Sequence, residues 1–228
     1  NLLAELFRAQ RQDERLMVLD FGYASPSTVE FFSQFKCRLD FIDIYSQQFV
    51  VEADNECSHG ELVKQFTEAI NLDADCKLDI CLFWDFFNYL DGPALKALMV
   101  ALEPNIDQYS RGHSLGLLNA RNQLPFNRYG IHSSASLSQA EREGEQPLVY
   151  PHSQRELNSL LDYWEIDKSR LMPDGRVEYI LFENRNPQPA TPDFSITNQL
   201  INNTSGMVDR NSKTDSLSLL IYSCIDSY

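Results

Sequence analysis

The amino-acid sequence predicts an α/β domain built as a three-layer sandwich around a mostly parallel sheet. Residues 15–22 form a short apolar run closed by Gly22, which is typical of a buried parallel strand. A helical pattern follows, and a second strand pattern then ends near Asp43. Later in the chain another apolar run ends with Asp85 and is again followed by a helical pattern. Such alternation favours parallel strands with helices on both faces of the sheet.

The first strand–helix–strand unit predicts a ribose-binding carboxylate. Residues 1–10 place apolar side chains at helical spacing, so we expect a short amphipathic helix before the first strand. After the turn at Gly22, residues 28–35 carry apolar side chains on one helical face. The second strand follows in residues 39–44, and Asp43 stands about twenty residues after Gly22. At that spacing, a βαβ unit places a carboxylate over the two hydroxyls of a bound ribose.

The middle of the chain contains one weak and one strong strand pattern. Residues 49–51 are a candidate short strand, and residues 61–70 form a good amphipathic helix pattern. The assignment of a third strand is the weakest in the domain. Residues 78–85 form a second buried apolar strand, and a helix of strong helix formers begins near Asp91 and is ended by Pro104.

Four predicted strand ends meet at one edge of the sheet. The strand after the last helix covers residues 113–119 and ends with Asn119. In an open parallel sheet, ligands bind outside the carboxyl ends of the strands, so Gly22, Asp43, Asp85 and Asn119 are expected to line one site. Simpler interpretations remain open for the two acids. Asp43 would then be a surface or capping carboxylate, and Asp85 would cap the turn that follows it.

The C-terminal half predicts an insertion, a helix, a hairpin and a tail. Residues 119–150 are polar and too long for an ordinary connection, which is typical of a lid or a disordered insertion. Ser153 and Glu156 have the spacing of a capping box, so a helix should follow. The Pro-Asp-Gly turn at residues 173–175 separates two strand patterns and predicts an antiparallel hairpin that closes the sheet. Residues 186–228 are polar and Pro-rich at their start, so we expect a flexible tail.

Composition and charge narrow the class of protein. With 228 residues and 43% hydrophobic content, the chain is expected to form one main domain. The formal charge of −14 disfavours nucleic acid as a partner, because the surface would repel a phosphate backbone. The sequence has no run of about 18 apolar residues, so we expect no membrane-spanning helix. The five cysteines contain no C-x-x-C pair and the four histidines lack ligand spacing, which predicts reduced thiols, a cytoplasmic location and no metal site.

Together these motifs resemble the class I S-adenosylmethionine-dependent methyltransferases. The resemblance rests on the Leu-Asp-Phe-Gly turn at residues 19–22, the acid at Asp43, the Phe-Trp-Asp strand end at residues 83–85 and the terminal hairpin. It covers roughly residues 15–183. It implies a Rossmann-like, mostly parallel sheet of seven strands, whose seventh strand lies antiparallel between the fifth and the sixth. The methyltransferase-like domain would then be residues 1–185, followed by the tail.

The resemblance also implies a cofactor and an activity. The cofactor is S-adenosylmethionine, and the activity is methyl transfer to a small-molecule or protein acceptor. Asp20 and Gly22 would lie beside the methionine part of the cofactor, and the backbone of Tyr23 and Ala24 would approach it.

The second and third strand ends complete the implied site. Asp43 would accept hydrogen bonds from the ribose hydroxyls, and Ile44 would pack against the adenine. Asp85 and Phe86 would border the sulfonium and the incoming acceptor. Carboxylates and aromatic faces suit a cationic sulfonium, and alignment of the reacting atoms can supply much of the rate without a dedicated general base.

The turn after the first strand departs from the family pattern. The family turn is usually G-x-G-x-G, whereas this chain has Gly22-Tyr23-Ala24-Ser25-Pro26 and keeps only the first glycine. Pro26 fixes φ and removes a donor, which would narrow the approach to the cofactor. A second hypothesis is therefore a methyltransferase-like domain without catalysis that serves as a binding or scaffolding module. A nicotinamide-dependent oxidoreductase shares the first half of the fold, but the terminal hairpin and the lack of a Tyr-x-x-x-Lys signature disfavour it.

Overall fold

The secondary structure follows the predicted order with two changes, one at the weak third strand and one in the long insertion. The computed structural model describes residues 2–8, 15–51, 57–117 and 123–184. Asn119 and the predicted tail, residues 186–228, lie outside the described residues. The helices are α1 Leu3–Arg8, α2 Pro26–Phe32, α3 Gln48–Val51, α4 His59–Ile70, α5 Gly92–Leu102 and α6 Gln154–Leu160. The strands are β1 Leu16–Asp20, β2 Cys37–Phe41, β3 Ile80–Trp84, β4 Arg111–Leu117, β5 Asn127–Ser133, β6 Ser136–Glu141, β7 Trp164–Leu171 and β8 Arg176–Glu183.

Among the described residues, six strands form the main sheet, in the order β2-β1-β3-β4-β8-β7. Strands β2, β1, β3 and β4 are parallel to one another. Strand β8 is antiparallel to β4 on one side and to β7 on the other. The prediction of a mostly parallel sheet that ends in an antiparallel hairpin is therefore confirmed. The inserted antiparallel strand also distinguishes this topology from a sheet in which every strand is parallel.

The predicted count of seven strands is wrong, because the candidate strand at residues 49–51 is helical. Gln48–Val51 forms α3, whose first turn is closed by hydrogen bonds to the carbonyl of Gln47. Phe49 packs edge-on against Phe66 of α4, with 5.0 Å between ring centroids. The side chain of Phe49 is thus covered by a helix, and β2 is the outermost strand on this side within the part of the chain that the structure describes.

Apolar side chains of the sheet are covered on both faces. Along β3, Cys81 and Phe83 belong to a buried cluster that contains side chains of α4 and α5. Ile80 and Leu82 belong to a second cluster, which contains side chains of α1 and α2. Since successive residues of a strand point to opposite faces, the described residues form three layers, helices on each side of the sheet.

The long polar segment predicted to be a lid or a disordered insertion contains a β-hairpin. Strands β5 and β6 pair antiparallel across a two-residue turn at residues 134–135, and we call them the insertion hairpin. The hairpin contacts α2, where the Ile131 N–H donates to the Thr28 hydroxyl at 3.0 Å. A side chain at Gly130 would collide with the hydroxyl of Ser25. The insertion hairpin therefore lies directly against the start of α2.

The C-terminal elements form as predicted. The Ser153 hydroxyl accepts from the Glu156 N–H at 3.2 Å, and the Glu156 carboxylate accepts from the Ser153 N–H at 2.8 Å, which completes a capping box for α6. Strands β7 and β8 pair antiparallel on either side of the turn at residues 173–175. Local signals of a few residues are sufficient for both elements, because all the groups involved are close in sequence.

Candidate functional site

The predicted site residues meet at the ends of three adjacent parallel strands. Strand β1 ends with Asp20, Asp43 follows β2, and Asp85 follows β3. Backbone hydrogen bonds join the first two strand ends, since the Ile42 N–H donates to the Asp20 carbonyl at 3.0 Å and the Asp43 N–H donates to the Gly22 carbonyl at 3.1 Å. We call Asp20, Gly22, Asp43 and Asp85 the carboxyl edge.

Asp20 is fully buried and holds the turn after β1. Its Oδ1 atom accepts the Gly22 N–H at 2.8 Å and the indole N–H of Trp84 at 2.6 Å. Its Oδ2 atom is buried without a hydrogen-bond partner among the described residues. Burial raises the pKa of Asp20 to about 7, because removal from water disfavours the charged form more than these two donors favour it.

Gly22 lies under the indole of Trp84, and the residues after it face outward. A Cβ atom at Gly22 would approach Asp20 Oδ1 to 3.1 Å and the Trp84 ring to 3.3 Å, so this tight contact favours glycine. Tyr23 is half-buried, with the guanidinium of Arg128 5.0 Å from the centroid of its ring. Ala24 is exposed. The backbone of the turn is thus covered partly by Trp84 and partly by a side chain of the insertion hairpin.

Asp43 is paired with an arginine from the segment that follows the insertion hairpin. Its backbone is left-handed, with φ 31° and ψ 54°, and its carboxylate makes no capping hydrogen bond. Arg142 Nη1 lies 2.6 Å from Asp43 Oδ1, and the Arg142 side chain is 8% exposed whereas that of Asp43 is 43% exposed. The guanidinium also lies 4.3 Å from the ring centroid of Tyr45 and 5.7 Å from that of Phe126. Arg142 is therefore a planar cation between aromatic faces and the predicted ribose carboxylate.

Asp85 is buried and accepts hydrogen bonds from two phenols. Tyr45 donates to Oδ1 at 2.8 Å and Tyr129, from β5, donates to Oδ2 at 2.8 Å. Arg176 Nη1 in turn donates to the Tyr129 hydroxyl at 2.6 Å. Burial raises the pKa of Asp85 to about 6, although both phenols and the charge of Arg176 favour its ionised form. Its carboxylate does not cap the short helical turn that follows it.

The ring of Tyr129 covers the end of β3. It stacks on Trp84 with 5.4 Å between centroids and an interplanar angle of 14°. Trp84 has a positive φ of 51°, a left-handed conformation that L-residues rarely adopt, and this turns its indole towards Asp20. Burial and the nearby Asp85 carboxylate raise the pKa of Tyr129 above its ordinary value, so its hydroxyl remains a donor. The insertion hairpin thereby contributes one ring and one hydrogen bond to the carboxyl edge.

Two predicted cofactor contacts belong to the core in this structure. Ile44 is fully buried in the cluster beneath α4 and α5. Phe86 is also fully buried, with its ring 5.8 Å from that of Phe21 and 5.2 Å from that of Tyr45. Both residues support the carboxyl edge from below, and their roles as contacts of the adenine and the sulfonium stay predictions.

Two clefts among the described residues lie away from the carboxyl edge. One, of about 330 Å³, is lined by residues of α4, α5 and α6, and another, of about 260 Å³, lies near Trp164 and Asn184. Neither is lined by a residue of the carboxyl edge. Within the described ranges, His, Cys, Asp and Glu form no group that would hold a metal ion. A membrane-crossing helix is also absent from these ranges, since none is both long and apolar enough.

Three residues from distant parts of the chain reach the carboxyl edge and were not predicted from the sequence. Tyr129, Arg142 and Arg176 reach the carboxyl edge from the insertion and from β8. Each comes from a distant part of the chain, so no local spacing connects it with its partner. The sequence gives only a weak signal for them, which is its composition. In a chain of formal charge −14, the arginines Arg128, Arg142 and Arg176 fall in or beside the segments that face the acidic edge.

Comparisons with known proteins find likenesses only among solved structures. No family model matches the chain, and neither does any curated protein sequence. The similar structures include DesVI from Streptomyces venezuelae, with 13% identity over 79% of this chain and 89% of DesVI and a TM-score of 0.47. They also include the 1,6-didemethyltoxoflavin-N1-methyltransferase from Burkholderia thailandensis with bound S-adenosylhomocysteine, with 14% identity over 79% of this chain and 76% of that one and a TM-score of 0.43.

A third similar structure is longer than this chain. The pyocyanin biosynthetic protein PhzM shares 13% identity over 79% of this chain and has a TM-score of 0.42, and the match spans 54% of PhzM. S-adenosylmethionine-dependent methyltransferases recur among these structures, some with S-adenosylmethionine or S-adenosylhomocysteine bound. Identities this low, with TM-scores below 0.5, assign no activity to the present chain.

Proposed function

We propose that the carboxyl edge is a nucleoside site for S-adenosylmethionine, and that the domain transfers a methyl group to a small-molecule or protein acceptor. The observation that supports this proposal is the meeting of Gly22 and Asp43 through a backbone hydrogen bond of 3.1 Å at the ends of two parallel strands. A glycine turn beside a carboxylate at this position is the arrangement that a βαβ unit uses to hold a ribose. The inserted antiparallel strand β8 favours a methyltransferase-like topology over a nicotinamide-binding one.

The residue types at the carboxyl edge fit this cofactor. Asp43 supplies two acceptor oxygens, which suit the two ribose hydroxyls. Asp20 Oδ2 is a buried acceptor that lacks a donor among the described residues, and it suits the ammonium group of the methionine part. Asp85 and the aromatic rings around it suit a sulfonium cation. The space beside these groups, however, is taken by Arg142 and Tyr129 in the structure.

The cofactor would supply an activated methyl group. Asp20, Gly22 and Asp43 would hold it, and its positively charged sulfur would make the methyl carbon open to attack by a lone pair of the acceptor. The contribution of the chain would be to align acceptor and methyl group and to place Asp85 and Tyr45 beside the positive charge. We assign no general base among these groups, because alignment of the reacting atoms can supply much of the rate.

A second candidate function is binding without catalysis. It is favoured by a specific observation, namely that Asp43 and Asp85 already have protein partners at 2.6 to 2.8 Å. A domain in which Asp43 and Asp85 bond to other side chains of the protein, and not to a cofactor, would serve as a binding or scaffolding module. The two functions differ in one measurable property, which is affinity for S-adenosylhomocysteine.

Calorimetric titration with S-adenosylhomocysteine tests the proposed function. Because Asp43 is paired with Arg142, the role of the carboxylate is measured in an Arg142→Gln background, where that pair is already absent. We expect binding in this background and a loss of at least about tenfold in affinity when Asp43→Asn is added, the order expected for one lost charge-assisted hydrogen bond.

Asp40 provides a matched control on the same strand. Asp40 forms an exposed ion pair with Arg38 at 2.9 Å, so Asp40→Asn in the Arg142→Gln background should leave the affinity unchanged. If no variant that remains folded binds S-adenosylhomocysteine at millimolar concentration, the cofactor proposal is rejected and the non-catalytic function remains.

A further inference from the structure

We propose that the insertion hairpin and the Arg142 that follows it form an internal plug, which competes with the cofactor for the carboxyl edge. This inference rests on the proposed function. It concerns regulation of the same site, since the plug would hold the domain in an inactive resting conformation.

The first part of the plug is a cation at the predicted ribose position. Arg142 bonds to Asp43 at 2.6 Å and lies between the rings of Tyr45 and Phe126. A bound nucleoside would place ribose hydroxyls on the same carboxylate and a flat purine ring near the same strand end. Arg142 therefore occupies one carboxylate oxygen of Asp43 and an aromatic face that a bound nucleoside would use, so the guanidinium and the nucleoside compete for these contacts.

The second part of the plug is a ring at the predicted transfer position. Tyr129 stacks on Trp84 and donates to Asp85 at 2.8 Å. Asp85 is the acid expected to border the sulfonium and the acceptor. With Tyr129 in this position, an acceptor would have no access to the end of β3, so occupation of the site needs movement of β5.

The plug is held at several points and therefore has a preferred docked position. The Ile131 N–H donates to the Thr28 hydroxyl at 3.0 Å, the hydroxyls of Ser27 and Ser138 lie 3.1 Å apart, and Gly130 leaves no room for a side chain against Ser25. These contacts are polar or involve small side chains, and apolar packing adds to them, because Tyr129 and Ile131 belong to the same apolar cluster as Ile80 and Leu82 of β3. Undocking of the hairpin would expose the buried Tyr129 and Ile131 together with polar groups that water can satisfy. The hairpin is a two-stranded sheet separate from the main sheet, so it can open locally while the main sheet stays paired.

The energetic consequence of the plug is that the wild-type chain has a reduced apparent affinity for the cofactor. When only a fraction of molecules has an open site, the apparent dissociation constant equals the intrinsic constant divided by that fraction. Loosening the plug raises the open fraction, so affinity should increase without any new contact to the ligand. A substitution that simply damages the site would decrease affinity instead.

The experiment compares S-adenosylhomocysteine affinity in the wild type, Arg142→Gln and Tyr129→Phe, with Arg38→Gln as a matched control. We expect Arg142→Gln to bind at least about tenfold more tightly than the wild type, Tyr129→Phe to show a smaller gain, and Arg38→Gln to show none. Arg38 also pairs with an aspartate of β2, but the pair is exposed and remote from Asp85. Far-ultraviolet circular dichroism and thermal melting verify that each variant is folded.

Hydrogen exchange provides a second readout that needs no ligand. In the free protein, Arg142→Gln should increase exchange of the amides in residues 127–141, including that of Ile131, and leave β1 and β3 protected. Addition of S-adenosylhomocysteine to the wild type should also increase exchange in the hairpin, which is opposite to the protection that a ligand normally gives its own contacts.

The possible outcomes separate the two proposals. Equal affinity of the wild type and Arg142→Gln, with unchanged exchange in the hairpin, would overturn the plug and leave the cofactor site standing. Absence of binding in every folded variant would overturn the proposed function, and the plug as a regulatory device with it.

Discussion

Helix α6 and the carboxyl edge are both held by hydrogen-bonded acids, but these acids find their partners at different distances along the chain. In α6, Glu156 bonds to Ser153 within one turn of helix. At the carboxyl edge, Tyr129 reaches Asp85 from 44 residues away and Arg142 reaches Asp43 from 99 residues away. The α6 cap is complete as soon as one helical turn forms, whereas Tyr129 and Arg142 reach the edge only when the insertion hairpin is docked.

The two regions also differ in burial. The hydrogen bonds of the α6 cap are exposed, whereas Asp20, Asp85 and Tyr129 are buried. Loss of a hydrogen-bond partner costs more where water cannot replace it, about 1–3 kcal/mol for a buried group. Substitutions at the carboxyl edge should therefore have large effects that extend to other strands, and those at the α6 cap should have small effects confined to one helix.

The largest effect is expected for Tyr129→Ala. The substitution leaves a cavity against Trp84 and removes one hydrogen-bond partner of Asp85 and one of Arg176. We therefore expect the free energy of unfolding to fall by about 3–5 kcal/mol, the range for loss of a buried aromatic ring. Urea denaturation followed by circular dichroism measures the change.

Leu148→Ala is the control for this comparison, because Leu148 lies in the same insertion but is 66% exposed. It should change the free energy of unfolding by less than about 0.5 kcal/mol. Comparable losses for both substitutions would mean that the insertion hairpin adds nothing specific to the carboxyl edge, and the contrast with α6 would disappear.

The second prediction concerns the pH dependence of stability. Burial raises the pKa of Asp20 from 3.8 to about 7 and that of Asp85 from 3.8 to about 6. The folded state then binds more protons than the unfolded state between these values, so stability falls as the pH rises through them. From pH 5.5 to 8 we expect a loss on the order of 2 kcal/mol, most of it from Asp20.

Asp20→Asn isolates this contribution. Asparagine keeps an acceptor oxygen for Gly22 and Trp84 but does not ionise, so the variant should lose most of the slope between pH 5.5 and 8. Acids with a lowered pKa, such as Glu178, lose their contribution only at lower pH and do not affect this window. A slope equal to that of the wild type would show that Asp20 titrates as an ordinary exposed carboxyl.

The sequence predicted the elements whose signals are local. The apolar run and glycine of β1 and its turn, the capping box at Ser153 and the turn at residues 173–175 each depend on groups a few residues apart. The grouping of Gly22, Asp43 and Asp85 could also be predicted, since the carboxyl ends of parallel strands share one edge. The location of a candidate site thus follows from topology alone.

The partners of the site residues could not be predicted in the same way. Nothing near Arg142 indicates a contact with Asp43, and nothing near Tyr129 indicates a contact with Asp85, because these pairs form only through tertiary packing. The hairpin itself has no Asn-Gly or similar turn at residues 134–135, so its signal is weak. The prediction of a strand at residues 49–51 was wrong for a related reason. Three apolar residues fit a strand or a helical turn equally well, and the tertiary contact of Phe49 with Phe66 decides between them.

A third prediction uses two glycines to compare the tightness of the carboxyl edge with that of a helix surface. Gly22→Ala would place a Cβ atom 3.1 Å from Asp20 Oδ1 and 3.3 Å from the Trp84 indole, and we expect a loss of about 1–2 kcal/mol through overpacking. Gly60→Ala, in α4, meets no atom within 4 Å and should stabilise the chain by up to about 1 kcal/mol, because alanine favours the helix. Thermal denaturation of the pair measures the difference. Effects of the same sign would indicate that Trp84 moves aside easily.

The smallest effect is expected where the α6 cap is broken. Ser153→Ala removes the hydroxyl that accepts the Glu156 N–H at 3.2 Å, and substitution of a serine cap by alanine typically costs about 1 kcal/mol. Ser153→Asp, which keeps an acceptor at the helix start, should retain most of the stability. Hydrogen exchange should increase at the first amides of α6 and remain unchanged at β1 and β3, because no hydrogen bond of the cap reaches the main sheet from Ser153 among the described residues. An increase at the strand ends as well would show that the cap and the carboxyl edge unfold as one unit, and that distance along the sequence does not separate the two regions.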